Sequence, residues 1–224
     1  INITNYPSLP QPLAFITAEI FEDYVYVIGG RSPEQSTNTF YRLNLKEPNS
    51  WEQLEDFPGP ARAVHTSIIQ NTGDSKKIFV FGGRNETAGK KSEALSSYIS
   101  YDLNKKTWQE EGNILIDNKP SVLMGASAEA LGSMHILVYG GSDEVLFDKL
   151  ENYGLQLALK PNATIANKII TARNELLNNH PGFSKDVLAY NTITKQWFIH
   201  EILETKIPVT ALSFSSKGGF TIVS

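Results

Sequence analysis

The sequence predicts an all-β fold, a kelch-type β-propeller, from a recurring phrase, its spacing, and the strand character of each copy. The phrase is an apolar run closed by Gly-Gly, followed by a tyrosine and then a tryptophan. It occurs as residues 24–28 with Gly29, Gly30, Tyr41 and Trp51, as residues 78–81 with Gly82, Gly83, Tyr101 and Trp108, and as residues 136–139 with Gly140, Gly141, Tyr190 and Trp197. Strand-based self-similarity at roughly 50 residues is the mark of propeller blades.

Each apolar run is too short and too rich in β-branched and aromatic residues for a helix, and glycines close it where backbone must pack on backbone. The segments from Tyr101 to Trp108 and from Tyr190 to Trp197 share one spacing and carry polar turn residues in the middle, as a hairpin requires. The tryptophans read as packing between adjacent blades.

On this reading the first blade covers about 13–54, the second 63–110 and the third 125–199, while 209–224 begins a fourth. Residues 1–224 thus form a partial propeller, because closed rings use four to eight blades. Open strand edges invite pairing, so either flanking sequence closes the ring or a second copy makes edge-to-edge contact.

The third blade departs from the repeat. About 48 residues separate Gly141 from Tyr190, and the apolar positions from Val145 to Leu157, then from Ile165 to Leu177, recur at three- and four-residue steps. This predicts a helical insertion over about 145–178, divided at Pro161-Asn162 and folded over one end of the propeller as a lid or docking face.

Composition narrows the function. A formal charge of −4 argues against a nucleic-acid partner, and no stretch approaches the roughly 20 apolar residues of a membrane span. With 0 cysteines there are no disulfides and no thiolate metal sites. His65, His135, His180 and His200 are scattered without metal-ligand spacing, so no metal is expected. No phosphate-cradling loop or nucleophile elbow is present. Residues 1–12 are polar and punctuated by proline, unlike a signal peptide.

Loops leaving the second strands and entering the first strands gather at one mouth of a propeller. That topology nominates Arg31 and Arg84 after the Gly-Gly pairs, Asp143 after Gly141, Arg62 and His65 before an inner strand, and His180 with Lys185 beside the insertion. Each also has a structural reading: inter-blade ties for the arginines, a turn cap for His180 and a satisfied inner-strand histidine for His65.

The run from Met124 through Ala128 into His135–Asp143, the Asn179-His180-Pro181-Gly182-Phe183-Ser184-Lys185 segment, and Leu188 through Thr194 resemble the bacterial sialic-acid mutarotases, the N-acetylneuraminate epimerase group of kelch proteins. The likeness is nearest to its circularly permuted branch, some members of which are joined to a sodium:solute symporter. Trp51-Glu52-Gln53-Leu54 and Phe57 to Arg62 extend it. The His-Pro-Gly-Phe segment is more specific than kelch glycines alone.

The resemblance implies a six-bladed propeller that interconverts the anomers of N-acetylneuraminate without a cofactor. One group takes the anomeric hydroxyl proton, another protonates the ring oxygen, and a cation holds the sugar carboxylate. It also implies a location outside the cytoplasm, and a covalent link to a transporter as found in some members, without deciding whether this chain has one. The family's acid/base and arginine lie in a G-E-x-x-P-G-x-R segment that this sequence does not contain. In the permuted branch that segment follows the strand matching residues 220–223, which puts the catalytic pair beyond Ser224, so no catalytic residue is assigned. The alternative is a non-catalytic kelch propeller that binds a protein or glycan.

Overall fold

The computed structural model describes residues 5–142 and 144–204, together with the backbone of 213–216 and 219–222. Blade 1 is an antiparallel meander of β1 (Thr17–Phe21), β2 (Tyr24–Ile28), β3 (Phe40–Asn44) and β4 (Glu52–Gln53). Blade 2 contains β5 (Thr66–Asn71), β6 (Lys76–Phe81), β9 (Ser97–Asp102) and β10 (Thr107–Asn113). A small hairpin, β7 (Arg84–Asn85) and β8 (Glu93–Ala94), rises from it between β6 and β9. A second small hairpin, β11 (Leu115–Ile116) and β12 (Lys119–Pro120), leads to blade 3.

Blade 3 is formed by β13 (Ala126–Leu131), β14 (His135–Gly140), β15 (Asp186–Asn191) and β16 (Gln196–Ile202). Between β14 and β15 lie α1 (Glu144–Ala158) and α2 (Ala163–Asn178), the helical pair that the sequence periodicity anticipates. After blade 3 the backbone of β17 (Ser213–Ser216) and β18 (Gly219–Ile222) pairs as a hairpin, where the sequence places the start of a fourth blade.

The repeated turn chemistry is realised in the backbone. In blade 2 the Asp102 carboxylate accepts the N–H groups of Asn104 and Lys105, and in blade 3 the Asn191 amide oxygen accepts those of Ile193 and Thr194. Both turns then pass through a left-handed lysine, Lys106 at φ 57° and Lys195 at φ 58°. This local bond to the side chain is what favours Asp and Asn at such turns. It brings each tyrosine opposite its tryptophan, Tyr101 to Trp108 and Tyr190 to Trp197.

Those aromatic pairs build the interfaces between blades. Trp108 meets Phe40 of blade 1 edge-on at 4.9 Å and Phe57 at 5.7 Å, within a cluster that includes Tyr26, Ile28, Ile78, Val80 and Tyr101. One blade further on, Trp197 meets Phe81 at 5.1 Å and Tyr98 at 5.8 Å, beside Phe79, Ile136, Val138 and Tyr190. Trp51 packs differently, donating from its indole N–H to the Pro7 carbonyl at 2.8 Å.

The insertion has its own start and stop signals. Asn162 caps α2 by accepting the Ile165 N–H at 3.0 Å, after a left-handed Lys160 (φ 52°) has turned the chain out of α1. Leu146 and Ile169 are its buried residues.

Candidate functional site at the propeller mouth

The mouth is framed by main chain. Ahead of the inner strands β1, β5 and β13 stand Phe15, Val64 and Gly125, all left-handed, with φ of 56°, 56° and 59°. Val64 N–H donates to the Phe15 carbonyl at 3.2 Å, and Gly125 N–H donates to the Val64 carbonyl at 2.8 Å. A backbone chain therefore runs from blade to blade around the opening. A second tie follows the first two Gly-Gly pairs: Gly30 N–H donates to Arg62 C=O at 2.9 Å, and Gly83 N–H donates to Leu123 C=O at 2.7 Å. A Cβ on Gly29 would lie 2.6 Å from the Arg62 carbonyl, and one on Gly30 2.9 Å from that of Ala14, so only glycine permits this crossing.

Arg62 is fully buried. Its Nη1 donates to the carbonyls of Gly82 and Ser97 at 3.0 and 3.1 Å, and its Nη2 to the Ser97 hydroxyl at 3.2 Å. Burial lowers its pKa to about 10, against a small opposing effect of Glu110, so it remains a cation at neutral pH. This arrangement ties blades 1 and 2 together.

Arg84 is also fully buried and fastens the insertion. Its Nε donates to the Ser92 hydroxyl at 2.7 Å, Nη2 to the Ser92 carbonyl at 3.2 Å and to Asp148 at 2.9 Å, and Nη1 to the Met124 sulfur at 3.0 Å. Glu151 lies 3.7 Å away, and the guanidinium sits 4.1 Å from the Phe147 ring centre. Asp148 and Glu151 are three residues apart on α1 and share one face. Lys91 pairs with the other Asp148 oxygen at 2.6 Å. Burial opposes ionisation of Asp148, but Lys91 and Arg84 outweigh it and hold the carboxyl below its ordinary range.

Arg31 differs from both. Its side chain is 35% exposed, and its Nε lies 3.1 Å from Glu86. Its backbone is fixed to Ala14 by reciprocal hydrogen bonds of 2.8 and 2.9 Å. Burial raises the Glu86 pKa, and Arg31 pulls it back. Arg31, Glu86, Arg84, Asp148 and Glu151 thus form a continuous charged band from blade 1 to the insertion.

The remaining nominated residues lie elsewhere. His180 Nδ1 accepts the Gly182 N–H at 3.0 Å, a turn cap, with its ring 5.3 Å from Phe183. Lys185 is exposed just before β15, where its carbonyl accepts the Leu203 N–H. Between them, Pro181, Gly182 and Phe183 line a cavity of about 440 Å³ with Leu123, Leu146 and Leu188. Its charged lining residues are Glu144 and Asp186, which suit no anion. Asp143 lies outside the described residues.

The channel face presents carboxyl groups, Glu19 and Glu129, rather than cations. His65 is buried with Nε2 2.8 Å from the Thr17 hydroxyl, and burial, aided by the Arg62 charge, pushes its pKa down to about 3. Glu19 accepts from the Ser67 hydroxyl at 2.6 Å, and burial raises its carboxyl to about 7 against that bond, with Glu129 adding to the rise. Among the described residues no group of three or more His, Asp or Glu is arranged to hold a metal.

Sequence reasoning passed over Asp148, Glu151 and Ser92, which are ordinary surface residues in the linear text. It also passed over Phe15, whose only signal is its alignment with Gly125.

The family model for N-acetylneuraminate epimerase matches residues 6–223. The chain belongs to the N-acetylneuraminate epimerase family. An N-acetylneuraminate epimerase from Salmonella typhi is 29% identical over 200 residues, covering 87% of this chain and 47% of the relative. One from Pasteurella multocida is 32% identical over 142 residues, covering 62% of this chain and 34% of the relative. The chain therefore spans about half the length of the Salmonella relative. The solved structure of YjhT superposes with a TM-score of 0.63 at 20% identity, over 89% of this chain and 54% of that one, a likeness of fold.

Proposed function

We propose that this chain forms part of a sialic-acid mutarotase, a cofactor-independent isomerase that equilibrates the α and β anomers of N-acetylneuraminate. The observation that carries this reading is the family match over residues 6–223, which takes in all three blades and the insertion. Anomer exchange opens the pyranose ring. It needs one group to accept the anomeric hydroxyl proton, another to protonate the ring oxygen, and a cation for the carboxylate.

The chain's own contribution is the rigid mouth and a cationic side chain beside it. The Salmonella relative is about twice as long as this chain, and we assign the acid/base pair of the expected six-bladed ring to residues outside 1–224. Covalent continuation into a transporter and action outside the cytoplasm belong to the same proposal, supported by the likeness of sequence.

The test is exchange spectroscopy on N-acetylneuraminate by NMR with the full-length protein. Acceleration of anomer exchange over buffer is expected. Unchanged exchange with folded protein would leave a glycan- or protein-binding propeller. Fractionation of cells producing the native protein checks its location.

A further inference from the structure

We infer that Phe15 and Arg31 form a subsite for the sugar acid, the aromatic ring lying against the pyranose face and the guanidinium holding the carboxylate. The inference rests on the mutarotase reading and names the place on this chain where the sugar is recognised.

Four observations meet here. Phe15 is 59% exposed, on the rim of the mouth beside the open face of blade 1. Its backbone is left-handed at φ 56°, a conformation that disfavours a bulky side chain and that blade 3 supplies with Gly125. Such a conformation persists because the surrounding structure imposes it, as it also does at Val64.

The Arg31 backbone is fixed next to Phe15 through the paired hydrogen bonds between Arg31 and Ala14, and Glu86 at 3.1 Å from Nε orients the guanidinium. Both border one cavity of about 410 Å³ with Pro12, Leu13 and Pro33, in the size range of small-molecule sites.

The chemistry selects the ligand. A pyranose has a face of C–H groups that an aromatic ring covers well, and a planar guanidinium matches a carboxylate with two parallel hydrogen bonds. Arg31 is the charged residue of this lining, whereas Arg62 and Arg84 are enclosed by the fold. A neutral hexose would use the ring alone; a sugar acid uses both groups.

The test uses full-length protein, N-acetylneuraminate and its methyl ester, with affinity read by NMR titration and anomer exchange measured in parallel. Phe15→Gly relieves the left-handed backbone, so its melting temperature should equal or exceed the parent's while affinity for the acid falls about tenfold, the size of a lost aromatic contact. Arg31→Gln should weaken the acid by tenfold or more and leave the ester within about twofold of the parent.

Phe15→Gly binding the acid as the parent does would overturn the subsite, as would Arg31→Gln weakening acid and ester equally. In either case the parent's exchange activity would leave the mutarotase reading intact. A folded parent that neither binds nor exchanges the sugar would overturn both.

Discussion

Arg84 and Asp148 are joined at 2.9 Å across the junction between blade 2 and the first inserted helix, with the arginine wholly enclosed and the aspartate at the rim. Removing the arginine leaves Glu151 without its cation, Asp148 with Lys91 alone, and the Ser92 carbonyl without its donor. Arg84→Met should destabilise the protein by about 3–5 kcal/mol, the usual cost of breaking an enclosed pair. Limited proteolysis should then cut within 144–178 first. Arg84→Lys should not restore resistance, because a single ammonium cannot serve Ser92, Met124 and Asp148 together. Equal protease resistance in all three proteins would refute the latch.

Glu19 gives a pH signature. Its folded carboxyl titrates at about 7, above the ordinary 4.5, so the unfolded chain ionises first and stability falls as pH rises between those values. A shift of this size corresponds to about 3 kcal/mol, reduced by solvent in the channel. Glu19→Gln should therefore gain on the parent between pH 4.5 and 7, with the difference constant above that range. Urea unfolding at pH 5 and pH 8 measures it, and an identical difference at both would contradict the assignment.

Glu111 has the opposite sign. Burial opposes its ionisation, but hydrogen bonds from Lys195 and Ser100 and the charge of Lys77 win and hold its pKa below the ordinary value. Its stabilisation is complete above about 4.5 and is lost as pH falls through the depressed pKa. Lys195→Ala removes the bond from blade 3 at 2.7 Å and should cost about 1 kcal/mol at pH 7, since that lysine is half exposed. The difference should vanish in acid. A cost that persists at pH 2 would mean lost packing instead.

Trp197 should behave as a core residue. Its ring fills the gap between blades 2 and 3 against Phe81, Tyr98 and Tyr190. Trp197→Ala is expected to cost about 3–5 kcal/mol in chemical unfolding. A loss under 1 kcal/mol would show that the blades are held together elsewhere.

The blades, their hairpins and the helical pair could be read from the linear text because each rests on local chemistry: alternation, glycine pairs, Asx turns and helical steps. The site was far less legible. Nothing adjacent to Asp148 or Glu151 marks them as partners of an arginine about 60 residues earlier. Arg31, Arg62 and Arg84 look alike as residues near mouth loops, yet Arg62 is enclosed by Gly82 and Ser97 of blade 2 and Arg84 by Asp148 and Phe147 of α1, while Arg31 is partly open. Phe15 carries no turn signature at all, since its left-handed backbone is imposed by neighbouring blades rather than by its own side chain.

The hydrogen-bonded chain through Phe15, Val64 and Gly125 sets the aperture with peptide groups alone. An opening built this way resists dilating like an iris, because widening it would break a main-chain contact at both described blade boundaries. Its width is thereby independent of the side chains on its rim. Replacing those side chains would alter what is recognised while the doorway keeps its size.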